Sequence, residues 1–116
     1  MKRLKRRPAF AALLLLLAAV AGSAQNVKYK TLEGKVLGNG NVPLESAIVY
    51  LEDSKTNTIR SFISTQDGSY RFGQLSPDID YQLWARYKSA KSPTRTISSY
   101  DSRTQVTIDL HIKTSK

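Results

Sequence analysis

The stretch Thr65–Phe72, TQDGSYRF, says most about the fold, and the alternating run Tyr81–Tyr87, YQLWARY, follows it after a Leu-Ser-Pro segment. Asp67 and Gly68 stand between two alternating apolar and polar runs, and both residue types tolerate the positive φ angles that a tight turn requires. The pattern therefore predicts a strand, a tight hairpin turn and a second strand. The run Ala47–Glu52 shows the same alternation after a polar turn, so we expect a small all-β domain.

About seven short strands are predicted, at the spacing of roughly 8 to 12 residues that all-β sandwiches show. The third strand has a mixed phase, with Ile59, Phe62 and Ile63, which indicates a bulge or an edge. No segment after Gln25 has helical periodicity. The predicted strands are 29–37, 47–52, 58–65, 70–75, 81–89, 95–99 and 105–113. Alternation predicts a core of Leu32, Gly34, Val36, Ala47, Val49, Leu51, Tyr70, Phe72, Leu75, Tyr81, Leu83, Ala85, Tyr87, Val106, Ile108, Leu110 and Ile112.

The N-terminal segment has the three parts of a secretory signal peptide. Five lysines and arginines lie within residues 1–8, an apolar segment with five consecutive leucines follows at 9–21, and small residues occupy 22–24. The apolar and small segment is shorter than the roughly 20 residues that a membrane-spanning helix needs. We therefore expect cleavage after Ala24, no stable membrane insertion after cleavage, and a mature domain, residues 25–116, that is periplasmic or secreted.

Composition limits the partners and the chemistry of the mature chain. The whole chain has 18 lysines and arginines against nine acidic residues. Without the signal peptide, 13 basic residues face nine acidic ones, a net charge of +4. These basic residues are spread singly along the chain, which is typical of a mildly basic surface and predicts no nucleic-acid partner. Cysteine is absent, so the core must stabilise an exported domain without disulfides, and no cysteine is present to carry a lipid.

Residues that could support catalysis are scarce. His111 is the only histidine, so one chain cannot supply the two histidines of a zinc peptidase. Alternation places His111 with Asp109 and Lys113 on a solvated face. The chain contains serines and aspartates but no Gly-x-Ser-x-Gly sequence, which leaves a small hydrolase as a distant alternative. No glycine-rich phosphate loop is present, and we expect no cofactor.

A calcium site is a second chemical possibility. Asp53, Asp67, Asp78 and Asp80 lie in predicted turns, and an exported sandwich could gather some of these carboxylates around calcium, which takes six to eight oxygen ligands. Aspartate is also an ordinary turn residue, and the four positions show no calcium-loop spacing. The turn interpretation is favoured, and we expect no metal.

The most interesting surface surrounds the single tryptophan. If the fifth strand buries its odd-numbered residues, Trp84 lies outside with Arg86 and Lys88. Tyr50 and Ile48 extend that surface. An exposed aromatic group with polar neighbours suits a sugar or a partner protein. The favoured alternative is structural: residues 92–103 cover Trp84, or Arg86 stacks on it as a cation–π pair. A register slip of one residue would bury Trp84 instead.

Four segments resemble the carboxypeptidase regulatory-like domain family. They are Glu33–Val36, Val42–Leu51, Thr65–Phe72 and Leu75–Pro77, in the order and spacing of that family. The resemblance covers nearly all of residues 29–112. It implies an immunoglobulin-like, more specifically transthyretin-like (prealbumin-like), antiparallel β-sandwich of about seven strands.

The resemblance also implies a function without catalysis. The family takes its name from a non-catalytic domain of metallocarboxypeptidases, and similar domains serve exported enzymes, outer-membrane receptors and adhesins as folding, spacing or binding modules. We expect a free-standing module that binds a protein or glycan partner at the bacterial cell envelope. The alternative is a purely structural envelope protein whose edge strands pair with a partner. This chain has Ser46 where the family usually has Gly, and Pro77-Asp78 where it has Pro-Gly, so these turns can differ.

Overall fold

Two β-sheets form a sandwich in the computed structural model, which describes residues 28–114 of the chain. The predicted signal peptide, residues 1–24, lies outside the described residues. The strands are β1 (Lys30–Leu37), β2 (Ile48–Asp53), β3 (Ile59–Ile63), β4 (Ser69–Leu75), β5 (Tyr81–Tyr87), β6 (Ala90–Lys91), β7 (Arg95–Ile97), β8 (Gln105–Thr107) and β9 (Leu110–His111), with a short 3-10 turn at Asn39–Asn41.

The order of the strands confirms the predicted sandwich. One sheet has the order β4-β1-β8, and β9 also pairs with β1. The other sheet has the order β3-β2-β5-β6, and β7 also pairs with β5. The pairs are antiparallel except that β8 and β9 run parallel to β1. The start and the end of the described chain therefore lie in the same sheet.

The core lies between the two sheets and confirms the predicted alternation. All of the predicted core residues except Gly34, Tyr87 and Ile108 are buried. Tyr87 and Ile108 are half-buried and pack against the core, and the structure adds Leu44 and Ile97 to it. Each fully buried leucine or valine contributes about 1.5–3 kcal/mol through the area it removes from water. In the absence of disulfides, this burial is the main stabilising term.

The turn at Asp67 and Gly68 forms, but the predicted hairpin is wrong in its strand pairing. The N–H of Gly68 donates to the Thr65 carbonyl at 2.9 Å, and φ of Gly68 is +80°. However, β3 pairs with β2, whereas β4 pairs with β1. The reason is a bond across to the other sheet: the Val36 N–H donates to the Gly68 carbonyl at 2.8 Å. The turn thus carries the chain from one sheet to the other.

The third strand is a regular edge strand, which explains its mixed sequence phase. Its register against β2 is unbroken, from Ile59 opposite Glu52 to Ile63 opposite Ile48. Phe62 packs against the core, while Ile59 and Ile63 are exposed on the other side. No bulge is needed, because an edge strand that is apolar on both faces produces the same pattern.

Two predicted strands differ in their extent. The fifth ends at Tyr87 rather than Ser89, because Lys88 takes a positive φ of 55° and turns the chain back into β6. The last predicted strand is divided into β8 and β9. The Ile108 N–H still donates to the Glu33 carbonyl at 2.9 Å, and the chain leaves the ladder after this bond. These two changes give nine strand segments where about seven strands were predicted.

The interruption between β8 and β9 is tied to a glycine in β1. The Ile108 carbonyl accepts a hydrogen bond from the Tyr70 hydroxyl at 2.6 Å. It lies so close to Gly34 that a Cβ there would be 1.8 Å from the Ile108 oxygen. Burial raises the pKa of Tyr70 well above the usual tyrosine range, so the hydroxyl remains a donor. Tyr70 thus bridges β4 and the last strands across the space that Gly34 leaves open.

Two buried serines replace missing ladder bonds. The Ser64 hydroxyl accepts from the Ala47 N–H at 2.9 Å and donates to the Leu44 carbonyl at 2.7 Å. The Ser92 hydroxyl accepts from the Ala85 N–H at 2.9 Å. Both side chains are buried, so each hydroxyl satisfies backbone groups that water cannot reach.

Candidate functional site

The outer face of the five-stranded sheet carries a mixed aromatic and aliphatic surface. Strand register places Ile63, Ile48 and Arg86 in one row and Ser61, Tyr50 and Trp84 in the next. A third row contains Ile59, Glu52 and Gln82, and Lys91 of β6 lies opposite Arg86. We call this surface the outer face; it consists of Ile48, Tyr50, Glu52, Ile59, Ser61, Ile63, Gln82, Trp84, Arg86 and Lys91.

Trp84 is half-buried between two neighbours on this face. The Tyr50 ring stacks on it, with 5.6 Å between ring centroids and 22° between ring planes. The Lys91 ammonium lies 5.5 Å from the centroid of the Trp84 ring. Because β2 and β6 flank β5 on opposite sides, the tyrosine and the lysine approach the indole from opposite sides. The cation over Trp84 is therefore Lys91, whereas the sequence pointed to Arg86.

The four candidate residues divide into two places. Tyr50, Trp84 and Arg86 share the outer face, as their register positions require. Lys88 lies in the turn after β5, where its ammonium is 5.3 Å from the Tyr87 ring, which packs against the core. The positive φ of Lys88 causes this separation, because it ends the alternation that the prediction extended to residue 88.

Three exposed isoleucines complete the outer face. Sequence reasoning placed Ile48 beside Tyr50 on this surface but did not assign Ile59 and Ile63 to it. Ile48, Ile59 and Ile63 are 37%, 52% and 65% exposed. A set of large exposed aliphatic side chains around a stacked aromatic pair is unusual for a solvated sheet face. The signal was present in the alternation of β3, which shows Ile59 and Ile63 on the face opposite Phe62.

We expect Lys91→Ala to open the indole to solvent. Loss of an exposed cation–π contact costs at most about 1 kcal/mol of folding free energy, so the variant will fold. Acrylamide quenching of the single tryptophan should increase relative to the wild type. Arg86→Ala is the matched control, since Arg86 lies on the same face without covering the ring. Equal quenching in the wild type and Lys91→Ala would show that Lys91 does not shield Trp84.

The outer surface of the four-stranded sheet has a different character. Arg71 pairs with Glu33 at 3.8 Å, and the Lys35 N–H donates to the Asp109 carboxylate at 3.0 Å. These groups line a shallow groove of about 510 Å³. The groove therefore contains side chains of both charge signs, and its Arg71–Glu33 pair is exposed and contributes little.

The four turn carboxylates do not form one cluster. Asp53 accepts the Lys55 N–H at 2.8 Å, and Asp80 accepts the Ser99 N–H at 2.6 Å. Asp67 accepts the Thr65 hydroxyl within its own turn. Across residues 28–114, no three side chains of histidine, cysteine, aspartate or glutamate lie together as metal ligands would. Asp53 and Asp67 thus stabilise their own turns, whereas Asp80 links its turn to residue 99.

Acid should weaken the domain partly through Asp80. The hydrogen bond from the Ser99 N–H holds the pKa of Asp80 below its ordinary value. A carboxyl group whose pKa is lower in the folded chain than in the unfolded chain stabilises the fold at pH values above its pKa in the unfolded chain. This contribution is lost as the pH falls through the pKa in the folded chain. We expect the unfolding temperature to decline below about pH 4. In Asp80→Asn this temperature should fall less steeply as the pH is lowered. Asp78→Asn is the control, and equal slopes in the wild type and Asp80→Asn would contradict the assignment.

His111 and Lys30 are two further titratable side chains, one exposed and one buried. His111 is exposed on β9, and neighbouring Asp109 is bonded to the Lys35 backbone. Lys30 is buried at the start of β1, where its ammonium donates to the Ser98 carbonyl at 3.2 Å. Sequence reasoning did not place Lys30 in the interior, because lysine is usually a surface residue.

In the described part of the chain, no helix has the length and apolar character to cross a membrane.

Solved structures with the same fold share little sequence with this chain. Catechol 1,2-dioxygenase from Acinetobacter sp. ADP1 superposes with a TM-score of 0.57 at 14% identity, covering 79% of this chain and 54% of the enzyme. The dioxygenase domain of a carbohydrate-binding fusion from Streptomyces sp. SirexAA-E has a TM-score of 0.53 at 14% identity, covering 80% and 84%. The major pilin subunit of Bacillus cereus has a TM-score of 0.57 at 13% identity, covering 76% and 31%.

These likenesses support the fold alone, because the identities are so low. The chain spans about half the length of the catechol dioxygenase and about a third of the pilin. No curated protein matches the sequence. The sequence profile of one family matches residues 31–113, which include every strand from β1 to β9 except the first residue of β1. The chain belongs to the carboxypeptidase regulatory-like domain family.

Proposed function

We propose that the chain is an exported, non-catalytic β-sandwich module that binds a protein partner at the bacterial cell envelope through the outer face. The observation that carries this proposal is the exposure of Ile48, Ile59 and Ile63 around the stacked Tyr50 and Trp84. Burying apolar area yields about 25 cal/mol per Å², and a sheet face of this kind leaves that free energy available for association.

A protein suits this face better than a glycan. Sugar stacking requires an open aromatic ring face, whereas the Trp84 ring has Tyr50 on one side and Lys91 on the other. Isoleucine side chains offer no hydrogen bonds to sugar hydroxyls. Arg86 and Lys91 lie together at one end of the face, which favours acidic groups at the matching end of the partner.

The absence of catalysis is proposed on the family and on the side chains. The family resemblance implies a non-catalytic domain. The single histidine, His111, is exposed. It lines a groove with Ser92, but the Ser92 hydroxyl is already bonded to the Ala85 N–H and the Pro93 carbonyl. The likeness to dioxygenases is one of fold at 14% identity and carries no activity to this chain. Hydrolysis of a substrate that is lost in His111→Ala would contradict this part of the proposal.

Export is supported by the composition of residues 1–24 and predicts a defined mature N-terminus. We expect the protein recovered from the periplasm or the culture medium to begin at Gln25, because the small residues 22–24 suit signal peptidase. N-terminal sequencing or intact mass measures this directly. Replacing the five leucines of the apolar segment by serines is the control and should leave the full-length chain in the cytoplasm. An exported chain that retains residues 1–24 would show an anchor instead.

Site-specific photo-crosslinking in cells that produce the protein tests the partner. A photoreactive phenylalanine analogue at position 86 lies at the rim of the outer face, and the same group at position 71 lies on the opposite sheet. We expect a discrete protein adduct at position 86 only, which mass spectrometry identifies. The purified partner should then bind the wild type at least tenfold more tightly than Ile48→Glu or Trp84→Ala, since central interface side chains dominate affinity. Arg71→Ala is the matched control.

Two results would overturn the proposed partner class. Equal adducts at positions 86 and 71 would show that the outer face is not selective. Binding of purified wild-type protein to a defined envelope glycan, with loss in Trp84→Ala, would replace the protein partner by a sugar.

A further inference from the structure

The four sheet edges in the described part of the chain differ sharply in how they are protected. The β4 edge is broken by a bulge where Gln74 takes a positive φ of 55°. The β8 and β9 edge is interrupted at residues 108–109, and the β6 and β7 edge contains Pro93. Bulges and prolines are the usual means of blocking unwanted strand pairing. Strand β3, in contrast, is regular over its whole length and has no such interruption.

The backbone of β3 has one side available for pairing. Thr58 accepts the Asp53 N–H and Ser64 donates to the Ala47 carbonyl, so the even-numbered residues direct their backbone groups to β2. In an antiparallel ladder the intervening residues direct both N–H and C=O away from that partner. Ile59, Ser61 and Ile63 therefore present free backbone groups along the edge, and their side chains lie on the outer face.

We propose that β3 pairs with β3 of a second copy of this chain, antiparallel, about a two-fold axis at Ser61. The segment Ile59–Ile63, IRSFI, has nearly the same character in both directions. Ser61 lies opposite its own equivalent, and Ile59 lies opposite Ile63 of the second copy. Each isoleucine pair is a favourable cross-strand contact, and the free backbone groups of one copy match those of the other.

Arg60 is compatible with this register. An inward-pointing charge at an edge often discourages pairing. Here the Arg60 guanidinium lies 5.7 Å from the Phe72 ring centroid and is within 3.4 Å of the Gly73 carbonyl, so it is held within its own domain. In the proposed register Arg60 faces Phe62 of the second copy rather than a like charge. No repulsive pair lies directly across the axis.

The dimer is distinct from the proposed function and adds to it. Pairing at β3 joins two five-stranded sheets into one continuous sheet. The two outer faces, each with its Tyr50 and Trp84 stack, then lie on the same side of that sheet. A partner with two matching sites would bind such a dimer with greater avidity than it binds one copy.

Cysteine crosslinking tests the register, since the chain contains no cysteine. In a hydrogen-bonded antiparallel pair the Cα atoms are about 5.5 Å apart, within disulfide range. We expect Ser61→Cys to form a disulfide dimer on mild oxidation. Ile59→Cys alone should remain monomeric, because its equivalents are roughly 13 Å apart in this register, but it should crosslink to Ile63→Cys when the two variants are mixed. Crosslinking of Ile59→Cys with itself as readily as Ser61→Cys would overturn the register.

Sedimentation of the mature protein tests the association without a crosslink. Ser61→Pro removes an N–H that faces away from β2, so the β2 ladder is retained while the edge is blocked. We expect a concentration-dependent dimer in the wild type and in Ser61→Ala, and a monomer in Ser61→Pro. If Ser61→Pro does not fold, the Ser61→Cys result decides. A wild type that remains monomeric up to about 1 mM would overturn the proposal.

Discussion

Gly34→Ala is expected to destabilise the sandwich by roughly 3 kcal/mol or more. The new methyl group would lie 1.8 Å from the Ile108 carbonyl oxygen and 3.1 Å from the Tyr70 ring. Backbone and ring must both move, and the 2.6 Å hydrogen bond from Tyr70 to Ile108 is lost with them. For a domain of this size the unfolding midpoint should fall by at least about 12 °C.

The other strand glycine of the same sheet provides the control. A methyl group on Gly73 in β4 would meet no atom within 4 Å, so Gly73→Ala should change stability by no more than about 0.5 kcal/mol. Urea unfolding of both variants measures the difference. Tyr70→Phe should remove only the hydroxyl, and its effect should be less than additive with Gly34→Ala, because both changes break one contact. Similar urea midpoints for Gly34→Ala and Gly73→Ala would show that the last strands adapt without cost.

Ser64→Ala is expected to cost about 2–4 kcal/mol, because one small change leaves two buried backbone groups without partners. The Ala47 N–H loses its acceptor and the Leu44 carbonyl loses its donor. Ser64 is only 4% exposed, so water cannot replace the hydroxyl. Urea unfolding at low protein concentration, where association is negligible, measures the loss.

Ser61→Ala is the matched control for Ser64→Ala. It makes the same chemical change close by in the chain but at an exposed position, and should alter stability by no more than about 0.5 kcal/mol. A loss in Ser64→Ala as small as in Ser61→Ala would mean that the two backbone groups find other partners.

Sequence reasoning located residues correctly where buried and exposed positions alternate regularly along a strand. In β2 and β5, alternate residues face the core, and hydrophobicity with period two identifies Val49, Leu51 and Leu83 without any knowledge of the partner strands. The same alternation places Tyr50 and Trp84 on the outer face. Their 5.6 Å stacking distance, in contrast, depends on the register between β2 and β5, which a single strand does not encode.

The residues that sequence reasoning missed act across long distances in the chain. Lys91 covers Trp84 because β6 folds back beside β5, a step that depends on the positive φ of Lys88. Ser46 also adopts a positive φ, 67°, which gives a physical reason for the glycine that the family usually has there. The residue types at such a turn do not show in which direction the chain reverses. They also do not show which distant side chains become neighbours.

The class of fold, the core alternation and the family follow from the amino-acid sequence alone, because local periodicity and turn chemistry act over a few residues. Strand pairing emerges only in three dimensions, and the Asp67-Gly68 turn demonstrates this: the turn was predicted, yet it joins two sheets because Gly68 bonds to Val36 of β1. Parallel pairing of β8 and β9 with β1, and the aliphatic outer face beside the free β3 edge, have the same origin. A strand can pair with any of several distant segments. The free energy that favours one pairing comes from contacts between segments, which the sequence of a single segment does not contain.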